Sequence, residues 1–289
     1  MSTACVVQFP HPGLEHKPPK GAAVFPWNLG RHGRKFLRAP GRLLADDGAL
    51  RHTDVVFWGE YEAASRVLCR WSPTGELPTA LHEPLLTTPP DSPKRQNTDP
   101  WVFGDRFLYS NCKQLTPHGG ASALQSLPRG SVILFGSQIG GPFCLDTVFV
   151  VAESLRYKVN DAADLPVDDA FRACTIESLA VYEHHAINLQ AAQFTLHLGA
   201  TNDNPVDGMF SFTPALPAGA DGPRFARPAY HDRRFVNPES KQSPSGAKVH
   251  RPTDEVREAW EAAVLGCRRS GVDLAVHVDL PGSAGVTES

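Results

Sequence analysis

No apolar run in the 289 residues approaches the roughly 18 needed to cross a bilayer, and Val148 to Ala152 is typical of the longest. The sequence therefore offers no membrane-spanning helix. The opening Ala4-Cys5-Val6-Val7-Gln8-Phe9-Pro10 has neither a basic start nor an apolar h-region. It is not read as a signal peptide, and a cytoplasmic location is expected. Cysteine is sparse and scattered (5, 69, 112, 144, 174 and 267), with no Cys-x-x-Cys, which excludes a zinc ribbon or a thioredoxin-type site. Without a secretion signal the six are expected to be reduced and mostly core residues. Sustained helical periodicity is also scarce: Gly (24) and Pro (26) are over-represented, which favours many turns and few long helices. No internal repeat is visible.

What remains is an ordinary globular composition, 41% hydrophobic and 20% charged, in a chain long enough for one large domain with a sizeable core. The net charge of -3 is unevenly spread. Residues 1–42 carry seven basic residues against Glu15 alone, and 219–251 carry seven against three acidic ones, leaving the rest strongly acidic. Such asymmetry suits one surface that meets an anion.

The first half reads as β, with short runs rich in Val, Phe and Trp at Cys5–Phe9, Asp54–Trp58, Ser65–Trp71, Trp101–Phe103, Arg106–Ser110, Val132–Gly136 and Leu145–Ala152. Gly104 suits a two-residue type II′ turn between the two runs beside it. Ala121–Leu127 reads as a short helix, and Asp168 or Asp169 caps another running to about Leu179. Phe194–Leu198 and Met209–Phe212 read as strands, and 214–252 as a long basic loop. Thr253 is expected to cap a final helix with a Val256, Trp260, Val264, Cys267 stripe, ended by Gly271 and followed by a strand of alternating Leu274, Val276, Val278 and Leu280. The expected fold class is α+β, a small mixed β-barrel with a C-terminal helix–strand unit. A β-rich part spans 1–152 and an α+β part spans 153–289.

Several segments carry candidate chemistry. His11, pinned between Pro10 and Pro12, precedes Glu15 and His16; imidazoles held this way can relay protons, but the local sequence supplies no third metal ligand. Between Trp27 and Phe36, Gly30 and Gly33 free backbone N–H groups while Arg31, Arg34 and Lys35 add charge, a pattern suited to phosphate contact. Glu60 and Glu62 share a face if extended, with Gly59 as a bulge that aims them, and Glu60 is the candidate general base. Trp27, Trp58 and Trp101 are candidate base-stacking residues, and Asp99, Arg106 and Asn111 accompany them around an aromatic hairpin. Cys112 beside Lys113 is a weak nucleophile candidate. His184-His185 has no partner motif.

Ser131-Val132-Ile133-Leu134-Phe135-Gly136-Ser137 followed by Phe143-Cys144-Leu145-Asp146-Thr147-Val148-Phe149-Val150-Val151 resembles the paired strands of the PUA-like superfamily (ASCH and EVE domains). The resemblance covers about a fifth of the chain. It implies a small barrel that binds RNA or modified DNA bases in an aromatic-lined pocket, and some ASCH proteins act on nucleosides. The length, the 214–252 loop and the C-terminal unit depart from that pattern, and no family site residue carries over. Together these readings point to nucleic-acid or nucleotide binding through the basic loop, with no cofactor. The alternative is a hydrolase or transferase acting on a phosphorylated or nucleoside-like small molecule, with Glu60 as base and His11 or His16 as partner.

Overall fold

The computed structural model describes residues 2–180, 189, 191–219, 223–240 and 243–283; His184-His185 lies outside them. The chain is mixed α+β and mostly strand. One sheet has the order β13-β1-β8-β9-β10-β7, with β12 on β9. Its strands are β1 (Thr3–Pro10), β7 (Leu108–Tyr109), β8 (Val132–Gln138), β9 (Phe143–Lys158), β10 (Gln193–Gly199), β12 (Ala229–Tyr230) and β13 (His250–Pro252). The other has the order β14-β11-β4-β3-β6-β5-β2, with β15 on β6. It is built from β2 (Val24–Phe25), β3 (Lys35–Leu44), β4 (Leu50–Gly59), β5 (Ser65–Arg70), β6 (Ala80–Leu86), β11 (Thr213–Pro217), β14 (Asp273–Val278) and β15 (Gly282–Ser283). Both sheets draw strands from either side of position 152, which itself falls inside β9.

The second sheet curls because β3 changes partner halfway along. Its first residues pair in parallel with β6, and Gly41–Leu44 pair with β14, while β4 follows its whole other edge. Gly41 permits the switch: a Cβ there would lie 2.4 Å from the His277 carbonyl oxygen. Since β14 also pairs with β11, and β11 with β4, the strands β3, β4, β11 and β14 close on themselves. This closure gives the barrel-like character expected from sequence. β3 itself went unread, because Pro40 and Gly41 break its apolar pattern at the switch.

β1, β8 and β9 as far as Val151 are rich in apolar residues because both of their faces are buried. Val7, Phe9, Ile133, Phe135, Phe149 and Val151 enter one core, shared with Leu37, Val55 and Phe57 of the second sheet. Val6, Val132, Leu134, Val148 and Val150 enter another, shared with Phe36, Val56 and Trp58. Each such side chain stabilises the fold by about 1.5–3 kcal/mol. The helix Thr253–Arg269 covers the second core with Val256, Ala259, Ala263 and Cys267. The buried stripe is thus offset from the expected one. Trp260 lies at its margin and donates from Nε1 to the Phe210 carbonyl at 2.8 Å, because the two alanines let the helix approach closely. Thr253 is the first helical residue rather than the cap, and its hydroxyl donates to the Ser2 carbonyl.

Three further expectations change. Trp101 and Leu108 exchange backbone hydrogen bonds, but six residues separate them, so Gly104, at φ +84°, sits in a longer loop and not a two-residue turn. The strand expected at Met209–Phe212 begins at Thr213, after single bridges at Met209 and Phe212. The 214–252 segment holds β12 and β13 and buries Phe225, Tyr230, Phe235 and Val236 in the second core.

Candidate functional site

Five chain segments meet where the two sheets abut. β1 ends at Pro10 and delivers His11, whose N–H donates to the Gly136 carbonyl at 2.7 Å. The next turn lies along the start of β3: Arg34 N–H donates to Leu14 and His16 N–H donates to Arg34, each at 2.8 Å. That pairing places His16 beside Gly33, where a Cβ would stand 2.9 Å from the imidazole. Gly33 therefore makes room for a side chain instead of baring an amide to phosphate. The Gly30 N–H is already taken, by Asn28 Oδ1 at 2.9 Å. β4 ends in regular register at Gly59, with no bulge, and Glu60 and Glu62 follow it.

Both carboxylates turn into one small, nearly closed site, as their spacing suggested. His32 Nδ1 lies 3.2 Å from Glu60 Oε1 and 3.0 Å from Glu62 Oε1. Glu60 Oε2 accepts from Arg34 Nη1 at 2.7 Å and lies 3.1 Å from His11 Nδ1. Glu62 Oε2 accepts from His16 Nε2 at 3.2 Å and from Asn28 Nδ2. Arg34 continues the network: its Nε donates to Asp146 Oδ2 at 2.9 Å, and Asp146 Oδ1 accepts from Arg227 Nη1 at 3.2 Å. All these side chains are buried or nearly so except Asn28, which is partly buried, and His32, whose side chain is 28% exposed and forms the mouth.

The electrostatics follow from that packing. Burial opposes charge on His32, but Glu60 and Glu62 outweigh it and raise the imidazole to about 10. Burial likewise opposes charge on Glu62, yet His16 and His32 hold it well below the usual carboxylate range. Burial, with Arg34 and Lys113 nearby, pushes His11 well below the ordinary histidine value. The cluster therefore holds a proton at its mouth and an uncharged imidazole at its floor.

The remaining sequence candidates lie elsewhere or play other parts. Of the phosphate-loop residues, Gly30 and Arg31 are exposed, whereas Arg34 and Lys35 are fully buried. Lys35 Nζ donates to the Ala63 carbonyl at 2.7 Å, and burial lowers it to about 7. Glu15 turns away from the histidines and accepts from Thr79 and Ala80. Trp27, Trp58 and Trp101 are buried, and the Arg227 guanidinium covers the Trp58 ring at 4.7 Å, so none presents an open stacking face. Asp99 accepts from the N–H groups of Ser110, Asn111 and Cys112. Asn111 accepts from Tyr157 and donates to the Thr175 carbonyl, so both residues fix a loop. Arg106 is exposed on a separate groove with Asp168 and His277. Burial pushes the Cys112 thiol far up, which removes it as a nucleophile.

Sequence reasoning missed His32, Asn28, Asp146 and Arg227. Asp146 had a signal: a lone carboxylate inside an apolar strand needs a buried partner. Comparison with protein-family models, with curated proteins and with solved structures finds no match.

Proposed function

We propose that this protein is an enzyme, a hydrolase or transferase acting on a phosphorylated small molecule, with the His32–Glu60–Glu62 cluster as its catalytic centre. One observation carries the reading: two buried carboxylates converge on a single imidazole that opens to solvent, a costly arrangement that a purely structural role does not require. Glu60 takes up the proton released as the attacking group is activated, Glu62 stays ionised and orients His32, and His32 meets the substrate at the solvent side. Arg31, exposed on the same loop, attracts the anionic end. The burial of Trp27, Trp58 and Trp101 favours a small substrate over a polynucleotide.

A panel of chromogenic phosphomonoesters, phosphodiesters and nucleotides tests the proposal. Turnover by the native protein should fall by about 10²–10⁴ in Glu60→Gln while the variant keeps its near-UV circular dichroism. Native-level turnover in that variant would refute the assignment. Salt-sensitive binding of oligonucleotides without turnover would favour nucleic-acid recognition instead.

A further inference from the structure

The oxygens of Glu60 and Glu62 divide their work in the same way. Each Oε1 faces His32 Nδ1, at 3.2 and 3.0 Å, and one ligand atom from each of the three residues lies within 4.8 Å of the others. Each Oε2 points the other way and is held by fixed donors, Arg34 for Glu60 and Asn28 with His16 for Glu62. Outer partners on one oxygen, with the other oxygen turned to a shared point, are how proteins orient carboxylates toward a cation. The spacing fits as well. Neighbouring ligands on an octahedral ion with bonds of about 2.1 Å stand about 3.0 Å apart.

A second observation concerns His11. His11 is only 5% exposed, and among the described residues neither ring nitrogen has a hydrogen-bond partner, although Nδ1 lies 3.1 Å from Glu60 Oε2. A buried imidazole with both nitrogens unsatisfied is costly unless something engages it.

We propose that the site binds one divalent transition-metal ion through His32 Nδ1, Glu60 Oε1 and Glu62 Oε1, with the His11 ring behind it against Glu60 Oε2. Mixed imidazole and carboxylate ligands favour Zn²⁺, Mn²⁺ or Fe²⁺ over Mg²⁺ and Ca²⁺. Three buried carboxylates, Glu60, Glu62 and Asp146, face two guanidiniums, Arg34 and Arg227. A dication there leaves the centre positive and ready for an anionic ligand. The inference rests on the functional reading above for its purpose, since the ion would activate the attacking group, but not for its evidence.

Isothermal titration of the chelator-treated full chain with Zn²⁺, Mn²⁺ and Mg²⁺, with metal content measured after dialysis, tests it. One Zn²⁺ or Mn²⁺ per chain is expected, with Mg²⁺ far weaker. Glu62→Gln and His32→Gln should each weaken binding by more than about 100-fold, and Asn28→Ala by about 10–100-fold. His118→Ala, at an exposed histidine, should change nothing. Near-UV circular dichroism identifies any variant that fails to fold, and His32→Gln, at the partly exposed position, is the milder of the two. No stoichiometric binding, or native affinity in both variants, overturns the proposal. Turnover that survives complete metal removal also overturns it and leaves the enzyme reading standing. Metal binding that depends on both residues supports it even if no substrate in the panel is turned over.

Discussion

Arg34 Nη1 donates to Glu60 Oε2 at 2.7 Å with both side chains out of solvent, and the same guanidinium reaches Asp146 through Nε. One cation thus ties the end of β4 to the start of β9. Arg34→Met removes one cationic partner from each of two buried carboxylates and should cost about 3–5 kcal/mol of stability. Arg34→Lys restores the charge but not the two-way fork, and should recover only part of the loss. Urea midpoints at constant m-value provide the measurement, and an unmoved midpoint in Arg34→Met would contradict the account.

Two glycines of one loop should respond differently to the same change. At Gly33 an added Cβ stands 2.9 Å from the His16 ring, whereas at Gly30 the nearest atom is Asn28 Oδ1 at 3.5 Å. Gly33→Ala should cost about 1–3 kcal/mol by displacing the imidazole. Gly30→Ala should cost much less. Equal costs would mean that both glycines serve the backbone alone.

Burial raises Asp99 to about 7 despite its three backbone N–H donors. A folded-state value above the unfolded one near 3.9 means that the folded protein holds this proton more tightly. The resulting stability is complete below about pH 4 and is lost as pH rises through about 7. Asp99→Asn cannot titrate, so the native protein's advantage over it should be larger at pH 5 than at pH 8. Unfolding midpoints at the two pH values decide the matter, and a gap that does not narrow would show that another group titrates.

Arg31 is exposed. Arg31→Ala should leave the unfolding midpoint within about 0.5 kcal/mol of native. It should raise KM for a phosphorylated substrate several-fold, and added salt should shrink that difference. An unchanged KM at low salt would place the anion elsewhere.

Much of the β architecture was legible because its strands carry strong local signals. Val132–Gly136 and Val148–Ala152 are apolar from end to end, and they pair within β8 and β9. The helix that closes the second core announces itself by acidic residues in its first turn and arginines in its last. β3 was hidden because a partner switch demands residues that strands otherwise avoid. Glu60 and Glu62 were visible from their spacing alone. His32 was not, since its role comes from a loop folding back across β4, and nothing in Gly30-Arg31-His32-Gly33 separates an inward imidazole from the outward arginine before it. The basic loop misled for a related reason. Arg34 and Lys35 look like surface charge, yet their partners lie 26 to 112 residues away in sequence.

The double burial of β1, β8 and β9 changes what guards their alignment. In a sheet with one wet face, sliding a strand by a single residue drives its apolar set into water, and that penalty selects the correct pairing. Here a slip would exchange one dry face for another. The discriminating cost falls instead on a few polar pegs. The Gln8 side chain donates to the Asn237 carbonyl and accepts from the Asn237 N–H, the Ser131 hydroxyl accepts from the Cys5 N–H, and Asp146 meets Arg34 and Arg227. The hydrophobic surface supplies the adhesion of this fold, and a few buried hydrogen-bonding groups supply its alignment key.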